Sequence, residues 1–131
     1  MRSKRERLKD NAWTTFSQYI RLRDKRCVTC PNGLAENAGH FWHAVLDFDE
    51  ENVNGQCVRC NKWLSGNLAV YAVYLLKKLG KKKFDALDIR HTRAIGGGKH
   101  DEEYYEEIIE IYKQKISQLN ELKEDSLKIL F

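Results

Sequence analysis

Four cysteines form two Cys-x-x-Cys pairs, Cys27 with Cys30 and Cys57 with Cys60, with 26 residues between the pairs. Each pair makes a knuckle that turns two thiolates toward a common centre, and two knuckles complete the tetrahedral four-thiolate shell that zinc prefers. A closed shell leaves no position for a substrate, so this zinc would be structural, stabilising the fold by on the order of 10 kcal/mol at neutral pH. Redox thiols and unrelated buried cysteines are the alternatives, and the spacing favours zinc.

Three polar side chains lie between and just after the knuckles, and two of them could serve metal-assisted hydrolysis of a phosphodiester. His40 follows Gly39, Asn52 comes twelve residues later, and Asn61 directly follows the last cysteine. Hydrolysis requires a deprotonated water, and an imidazole that titrates near neutrality can take that proton. The charge that develops on the phosphate requires a cation, Mg²⁺ or Mn²⁺ held by oxygen ligands, and the side-chain oxygen of Asn61 is a suitable but weak ligand.

The order of these residues resembles the ββα-metal (HNH) nuclease plan, in which a hairpin and a helix enclose a small site. The resemblance implies that His40 is the general base, that Asn52 pins the loop between the strands, and that Asn61 binds a catalytic divalent ion. Plainer interpretations remain open: His40 as an ordinary core histidine, and Asn61 as the N-cap of the following helix.

The two knuckles with Gly39-His40 between them and Asn61 after them resemble the phage endonuclease VII type of Holliday-junction resolvase. Longer motifs give a closer resemblance, to the lambdoid-phage NinG (Rap) recombination family. The similarity rests on residues 16–24 (FSQYIRLRD), 38–41 (AGHF) and 54–67 (NGQCVRCNKWLSGN). It implies an endonuclease of phage recombination that acts on branched DNA, forms a homodimer and needs Mg²⁺ or Mn²⁺.

One position departs from the HNH plan. Many such sites have an Asp, a metal-binding carboxylate, immediately before the catalytic histidine, and this chain has Gly39 there. His43, Asp47 and Asp49 are candidates for the missing ligand, and the sequence does not choose among them. The rival to an active nuclease is therefore a DNA-binding accessory protein whose site is disabled at Gly39.

Basic residues are concentrated on both sides of the cysteine region. Residues 1–26 and residues 64–100 each have a net charge of +6, whereas residues 27–63 sum to −3 and residues 101–131 to −5. This distribution suits a polyanionic partner such as DNA, although charge runs also occur on ordinary solvated helix faces. The predicted phosphate contacts are Arg21, Arg23, Arg59 and Lys62.

The expected fold is a single domain, mostly α-helical, with a small zinc-stapled ββα-metal (HNH/endonuclease VII-like) core between long N- and C-terminal helices. The expected parts are a basic N-terminal helix (1–26), the four-cysteine core (27–80), a basic connection (81–100) and the C-terminal helix (101–131). Within the core, the pattern predicts strands at 40–46 and 56–58 and a helix from Asn61 to Leu79. Trp13, Trp42 and Trp63 are expected to pack in the core.

The leading hypothesis is thus a metal-dependent DNA endonuclease, a phosphodiester hydrolase, with zinc as a structural ion. A third hypothesis is a protein-interaction adaptor in which the acidic last helix meets a partner. The apolar stripe of that helix is typical of an intramolecular core, and a dimer surface is the alternative. The sequence has no long apolar run and no secretory pattern at its start, so we expect a cytoplasmic protein without a membrane partner.

Overall fold

The computed structural model describes residues 1–130 and begins with a long helix, α1, at Lys4–Asp24. A capping box starts it: Ser3 Oγ accepts from the Glu6 backbone N–H, and the Glu6 carboxylate accepts from the Ser3 N–H. Ala12, Phe16 and Ile20 recur at four-residue steps and are fully buried. This face gives α1 its contact with the rest of the molecule, as the sequence predicts.

Two short antiparallel strands follow, β1 at Asn37–His40 and β2 at Val53–Gln56. Their register pairs His40 with Val53 and Asn37 with Gln56. The predicted strand positions, 40–46 and 56–58, were wrong. Residues 41–46 form an irregular loop with positive φ at Ala44 and Leu46, and the second knuckle begins directly after Gln56.

The chain then forms a five-residue π-helical turn, Arg59–Trp63, before helix α2 at Leu68–Leu79. The predicted continuous helix from Asn61 is therefore interrupted. Ser65, Gly66 and Asn67 all have positive φ, a conformation that no helix continues through. The turn separates Asn61 from α2 and leaves it beside the strands, so it does not cap the helix.

A third helix, α3, occupies Lys81–Ala94 where the sequence analysis predicted a connection. Gly80 has φ of 79° and breaks the chain direction between α2 and α3. Leu87 of α3 is fully buried against Tyr71 and Leu75 of α2, with Phe84 packed beside them. The three lysines at 81–83 made this segment resemble a polar connection in the sequence. The segment that connects α3 to the next helix is only residues 95–101.

The last helix, α4 at Glu102–Leu130, runs alongside α1 in the same direction. Lys4 lies near Glu102, and Phe16 contacts the ring of Tyr112 at a centroid distance of 4.7 Å. Phe16, Ile20, Ala38, Val53 and Tyr112 form the core between these helices and the sheet. Of the helices over residues 1–130, none has an apolar stretch long enough to cross a bilayer.

Candidate active site and metal centre

The four cysteines come together as one cluster at the end of the sheet. Their Sγ atoms all lie within 4.8 Å of one another, and those of Cys30 and Cys57 are 3.6 Å apart. Sulfurs that surround zinc tetrahedrally at about 2.3 Å are separated by about 3.8 Å. Cys27, Cys57 and Cys60 are buried, and all four are free thiols. The cluster therefore fits a metal ion such as zinc, and it has no room for a substrate.

Close backbone packing positions the two knuckles. Gly33 approaches Cys57 so tightly that a Cβ at position 33 would lie 2.5 Å from the Cys57 Cβ, and its carbonyl accepts from the Cys27 N–H at 3.0 Å. Burial raises the pKa of Cys27, but hydrogen bonds, led by the one from Thr29, outweigh it and bring that pKa to about 6. Although the Cys60 backbone N–H lowers the pKa of Cys57, burial and hydrogen bonds with the other thiols raise it on balance. The cluster without an ion therefore favours a thiolate at Cys27 and a thiol at Cys57, and a metal that binds all four sulfurs must displace the Cys57 proton.

His40 ends β1 in a largely enclosed position. Its ring stacks on Trp13 of α1 at a centroid distance of 4.8 Å and an interplanar angle of 16°. Nε2 lies 3.4 Å from Asp47 Oδ1, yet it makes no hydrogen bond with any residue from 1 to 130. Burial lowers the pKa of His40 below 6.5, reinforced by His43, while Asp47 raises it less. The imidazole is therefore neutral at pH 7, the form that a general base requires.

Helix α2 fixes the residue that precedes His40. The Tyr71 hydroxyl donates to the Gly39 carbonyl at 2.7 Å and accepts from Asn54 Nδ2 at 3.1 Å. Tyr71 is fully buried, and burial raises the pKa of its hydroxyl, which stays protonated as the donor. Tyr71 is a positioning residue, and the sequence pattern predicts no role for its hydroxyl.

Asn52 lies fully buried in the loop that joins the strands. Its Oδ1 accepts from the Trp42 N–H at 2.8 Å, and its Nδ2 donates to the carbonyls of Trp42 and Leu46 at 3.0 and 3.2 Å. These three bonds fasten the irregular residues that follow His40. Asn52 thus holds the loop and has no free atom directed to a substrate.

Asn61, in the π-helical turn, faces the backbone just before His40. Its Oδ1 lies 3.0 Å from the point where a Cβ would stand on Gly39. Gln56 Oε1 lies even closer to the same point. The side-chain oxygens of Asn61 and Gln56 therefore both face Gly39, the residue before His40; Gln56 belongs to the 54–67 motif and had no predicted role.

The three candidates for the missing ligand have different surroundings. Asp49 is paired with Arg90 of α3 at 2.9 Å, and Asp47 lies beside His40. His43 is exposed, with its ring centroid 6.1 Å from that of His40. Asp49 is therefore occupied by a structural ion pair, which leaves His43 and Asp47 near the site.

Among the predicted phosphate contacts, Arg59 and Lys62 are exposed and Arg21 is partly exposed. Arg23 is different, because its guanidinium donates to the Asp24 carboxylate, the Glu50 and Val53 carbonyls and Asn54 Oδ1. These bonds hold α1 to the strands and engage most of the Arg23 donors within the fold, and a phosphate contact by Arg23 stays a prediction.

Two exposed features were missed from the sequence. Trp63, expected in the core, has 80% of its surface exposed at the end of the π-helical turn, next to Lys62. A cavity of about 530 Å³ lies between residues 44–49, in the loop after His40, and residues 97–105. Its lining includes the cations Arg5, Lys9 and Lys99 and the carboxylate of Asp47. These cations come from opposite ends of the chain, so no local pattern could associate them.

Comparison with known proteins identifies the family. The family described as Bacteriophage Lambda NinG protein matches residues 2–124. The chain belongs to the NinG family.

Individual NinG relatives agree with this assignment. The chain is 34% identical to Protein ninG of Escherichia phage 933W and 33% identical to that of Escherichia phage lambda, each over 90 residues and 63% of this chain. It is 31% identical to Protein ninG of Salmonella phage P22 over 123 residues, or 88% of this chain. These alignments cover 45%, 44% and 59% of the relatives, so the chain spans about half the length of the NinG proteins that it matches. No solved structure matches it.

Proposed function

We propose that this NinG-family protein is a divalent-metal-dependent DNA endonuclease that acts on branched DNA such as four-way junctions. The observation that carries the proposal is the enclosed imidazole of His40 at the end of β1, directly after Gly39, whose backbone faces the Asn61 amide oxygen, with a four-cysteine cluster at the end of the sheet. A general base, an oxygen ligand and a rigid support are the parts that metal-assisted phosphodiester hydrolysis needs. The preference for branched DNA rests on the resemblance to junction resolvases.

In this proposal, each residue has a separate task. His40 accepts the proton of the attacking water, while Asp47, 3.4 Å from Nε2, stabilises the imidazolium that forms. Asn61 would help to hold Mg²⁺ or Mn²⁺, and such an ion would supply the charge that offsets the negative charge of the phosphate and the leaving oxygen. Asn52 and Tyr71 position the loop and the backbone on either side of His40.

DNA would approach along the exposed cations near the site. Arg59 and Lys62 lie on the π-helical turn with the exposed Trp63, whose flat ring suits stacking on an unpaired base. Arg5 and Lys9 line the cavity beside Asp47 on the other side. Affinity for DNA should therefore fall steeply with salt, which an adaptor that binds only protein does not predict.

A second candidate function is a DNA-binding accessory protein that cuts nothing. Gly39 favours it, because the site lacks the carboxylate that many HNH sites place before the histidine. The basic surface and the cysteine cluster would serve that function equally well, so cleavage itself must decide.

The test incubates the zinc-loaded protein with a labelled four-way junction and with a linear duplex of matched sequence, in Mg²⁺ or Mn²⁺. We expect paired nicks in the junction, and a loss of at least about 100-fold in His40→Ala, the usual contribution of a general base. His91→Ala is the matched control, since His91 of α3 has no role in the proposed chemistry; its ring stacks on Trp42 at a centroid distance of 4.0 Å. Salt-sensitive junction binding without cleavage in either ion would instead establish the accessory protein.

A further inference from the structure

The side-chain amide of Gln56 has a nitrogen that donates two hydrogen bonds and an oxygen without a partner among residues 1–130. Its Nε2 donates to Thr29 Oγ1 at 3.0 Å and to the Gly66 carbonyl at 2.8 Å. A carbonyl only accepts, so this pair fixes the amide with Nε2 toward Gly66 and Oε1 away from it. Gln56 is fully buried, yet Oε1 has no hydrogen-bond partner among residues 1–130. Leaving a buried acceptor unpaired costs about 1–3 kcal/mol, so the oxygen needs an explanation.

The unpaired oxygen points to the place where the HNH carboxylate is missing. A Cβ on Gly39 would collide with Gln56 Oε1, stand 2.8 Å from its Cδ and lie 3.0 Å from Asn61 Oδ1. Both amide oxygens are thus within 3.0 Å of a single point beside the residue that precedes His40. Gln56 and an Asp at position 39 cannot occupy this space together.

We propose that the Gln56 side-chain oxygen is a ligand of the divalent cation, together with Asn61 Oδ1, and takes the place of the carboxylate absent at Gly39. Carbonyl oxygens are accepted ligands of hard cations, and an ion would satisfy the unpaired Oε1. The role of the ion rests on the proposed function, whereas the assignment of Gln56 as its ligand rests on geometry alone. It explains why Gly39 departs from the HNH pattern without disabling the site.

Two neutral oxygens attract a cation less than a carboxylate does. Mg²⁺ and Mn²⁺ retain several waters and take further ligands from substrate phosphates. We therefore expect a weak site in the free protein that binds its ion more tightly when a phosphate of the DNA is present. Asp47 and the exposed His43 lie nearby and are not needed as direct ligands.

The experiment titrates Mn²⁺ into the zinc-loaded chain without DNA and follows free Mn²⁺ by electron paramagnetic resonance. Gln56→Ala should weaken Mn²⁺ binding by about tenfold or more, the loss typical of disturbing a metal site. Val53→Ala is the matched control, because it loosens the core packing of the same strand and leaves Gln56 Oε1 in place. Equal weakening in both variants would mean that Gln56 acts only through packing, which overturns the proposal.

A ligand exchange tests the same oxygen in the opposite direction. Gly39→Asp alone should lower both stability and Mn²⁺ affinity, because the new Cβ meets Gln56 Oε1. Gly39→Asp combined with Gln56→Ala removes that collision and supplies a carboxylate, so Mn²⁺ binding should equal or exceed that of the unsubstituted chain. A double variant that binds no better than Gln56→Ala contradicts the proposal.

A measurement on the unsubstituted chain stands even if the Gln56 variants lose zinc. Protein labelled with ¹³C at the glutamine side-chain carbonyl should give an electron–nuclear double resonance coupling to bound Mn²⁺, and absence of that coupling overturns the assignment. The other glutamines, Gln18, Gln114 and Gln118, lie on α1 and α4. If the chain cleaves junctions but shows no coupling, the endonuclease proposal holds and the Gln56 assignment fails. If it shows the coupling but no cleavage, the metal site holds and the endonuclease proposal fails.

Discussion

At the scale of single residues, the candidate site is marked by the few buried polar atoms that have no hydrogen-bond partner among residues 1–130. Arg23, Asp49 and Asn52 look like binding or catalytic residues in sequence, and each is bonded inside the fold. His40 Nε2 and Gln56 Oε1 are buried without a partner among residues 1–130. Since unpaired buried groups are costly, they indicate where a ligand or ion completes the structure.

The titration of His40 gives a prediction at this scale. Burial holds its pKa below 6.5, so the neutral base, and with it cleavage, should persist somewhat below pH 6.5. Asp47→Asn removes the carboxylate that raises this pKa, and the acidic limb should move to still lower pH. The His40 pKa is higher in the unfolded chain, which therefore binds this proton more readily. Protonation of His40 in the unfolded chain thus lowers the free energy of unfolding as the pH falls from 6.5 through the pKa of the folded chain.

Proton NMR of the imidazole ring resonances measures the His40 pKa directly, with the other three histidines as references in the same spectra. Trp13→Ala should raise the pKa, because it removes the stacked ring and admits water. A His40 pKa at or above 6.5 in the unsubstituted chain would contradict both the enclosure of the ring and its assignment as a base that is neutral at low pH.

At the scale of elements, helices position a sheet that is too short to be stable alone. Two strands of four residues are marginal in water, and here α1 packs on one side while α2 bonds the Gly39 backbone from the other. Helix α3 adds Arg90, whose guanidinium holds Asp49 and Glu51 at 2.9 Å. The strand that ends at His40 is therefore fixed mainly by its neighbours.

Tyr71→Phe tests the link between α2 and β1. The change leaves the buried Gly39 carbonyl and Asn54 amide without their hydroxyl partner and should lower the free energy of unfolding by about 1–3 kcal/mol. Urea unfolding measures the loss. Tyr74→Phe is the matched control, expected to change the free energy by no more than about 0.5 kcal/mol, because the Tyr74 hydroxyl bonds no other residue in 1–130. Similar losses in both variants would show that the hydroxyl does not anchor the strand.

At the scale of the whole molecule, the charge pattern is partly neutralised by folding. Basic α1 and acidic α4 lie side by side, with Lys4 at 3.5 and 3.9 Å from Glu102 and Glu106. These pairs are exposed and each contributes little stability, but they place negative charge along one side of α1. Under the proposed function, the positive surface for DNA would thus combine Arg59 and Lys62 of the π-helical turn with the cavity cations Arg5 and Lys9 of α1 and Lys99.

The end of α4 gives a prediction about assembly. Residues 120–130 are exposed throughout, including Leu122, Leu127, Ile129 and Leu130. We expect this segment to contribute to a homodimer, so sedimentation equilibrium should give a mass approaching twice 15.4 kDa at rising concentration. Leu127→Glu should weaken association and Glu124→Gln should not. A monomer at all concentrations would leave the dimer without support in the free protein.

The sequence by itself determined the features that depend on local spacing. Two Cys-x-x-Cys pairs predict a common cluster because each pair turns two thiolates the same way, and the structure brings all four together. The long amphipathic helices at both ends were confirmed, since burying an apolar stripe at helical spacing needs no knowledge of its partner.

Only the tertiary structure decided which polar groups are free and where the strands lie. The aromatic run at 40–46 has high strand propensity, yet Asn52 holds much of it as a loop and β1 begins earlier. Arg23 became internal because Asp24, Glu50 and Val53 converge on it, and Trp63 became exposed because the turn projects it outward. Gln56 gained its significance from Gly39, which lies close to its side chain across the two strands and is seventeen positions away in sequence. Such contacts depend on packing between distant segments, and residue types and local spacing do not encode them.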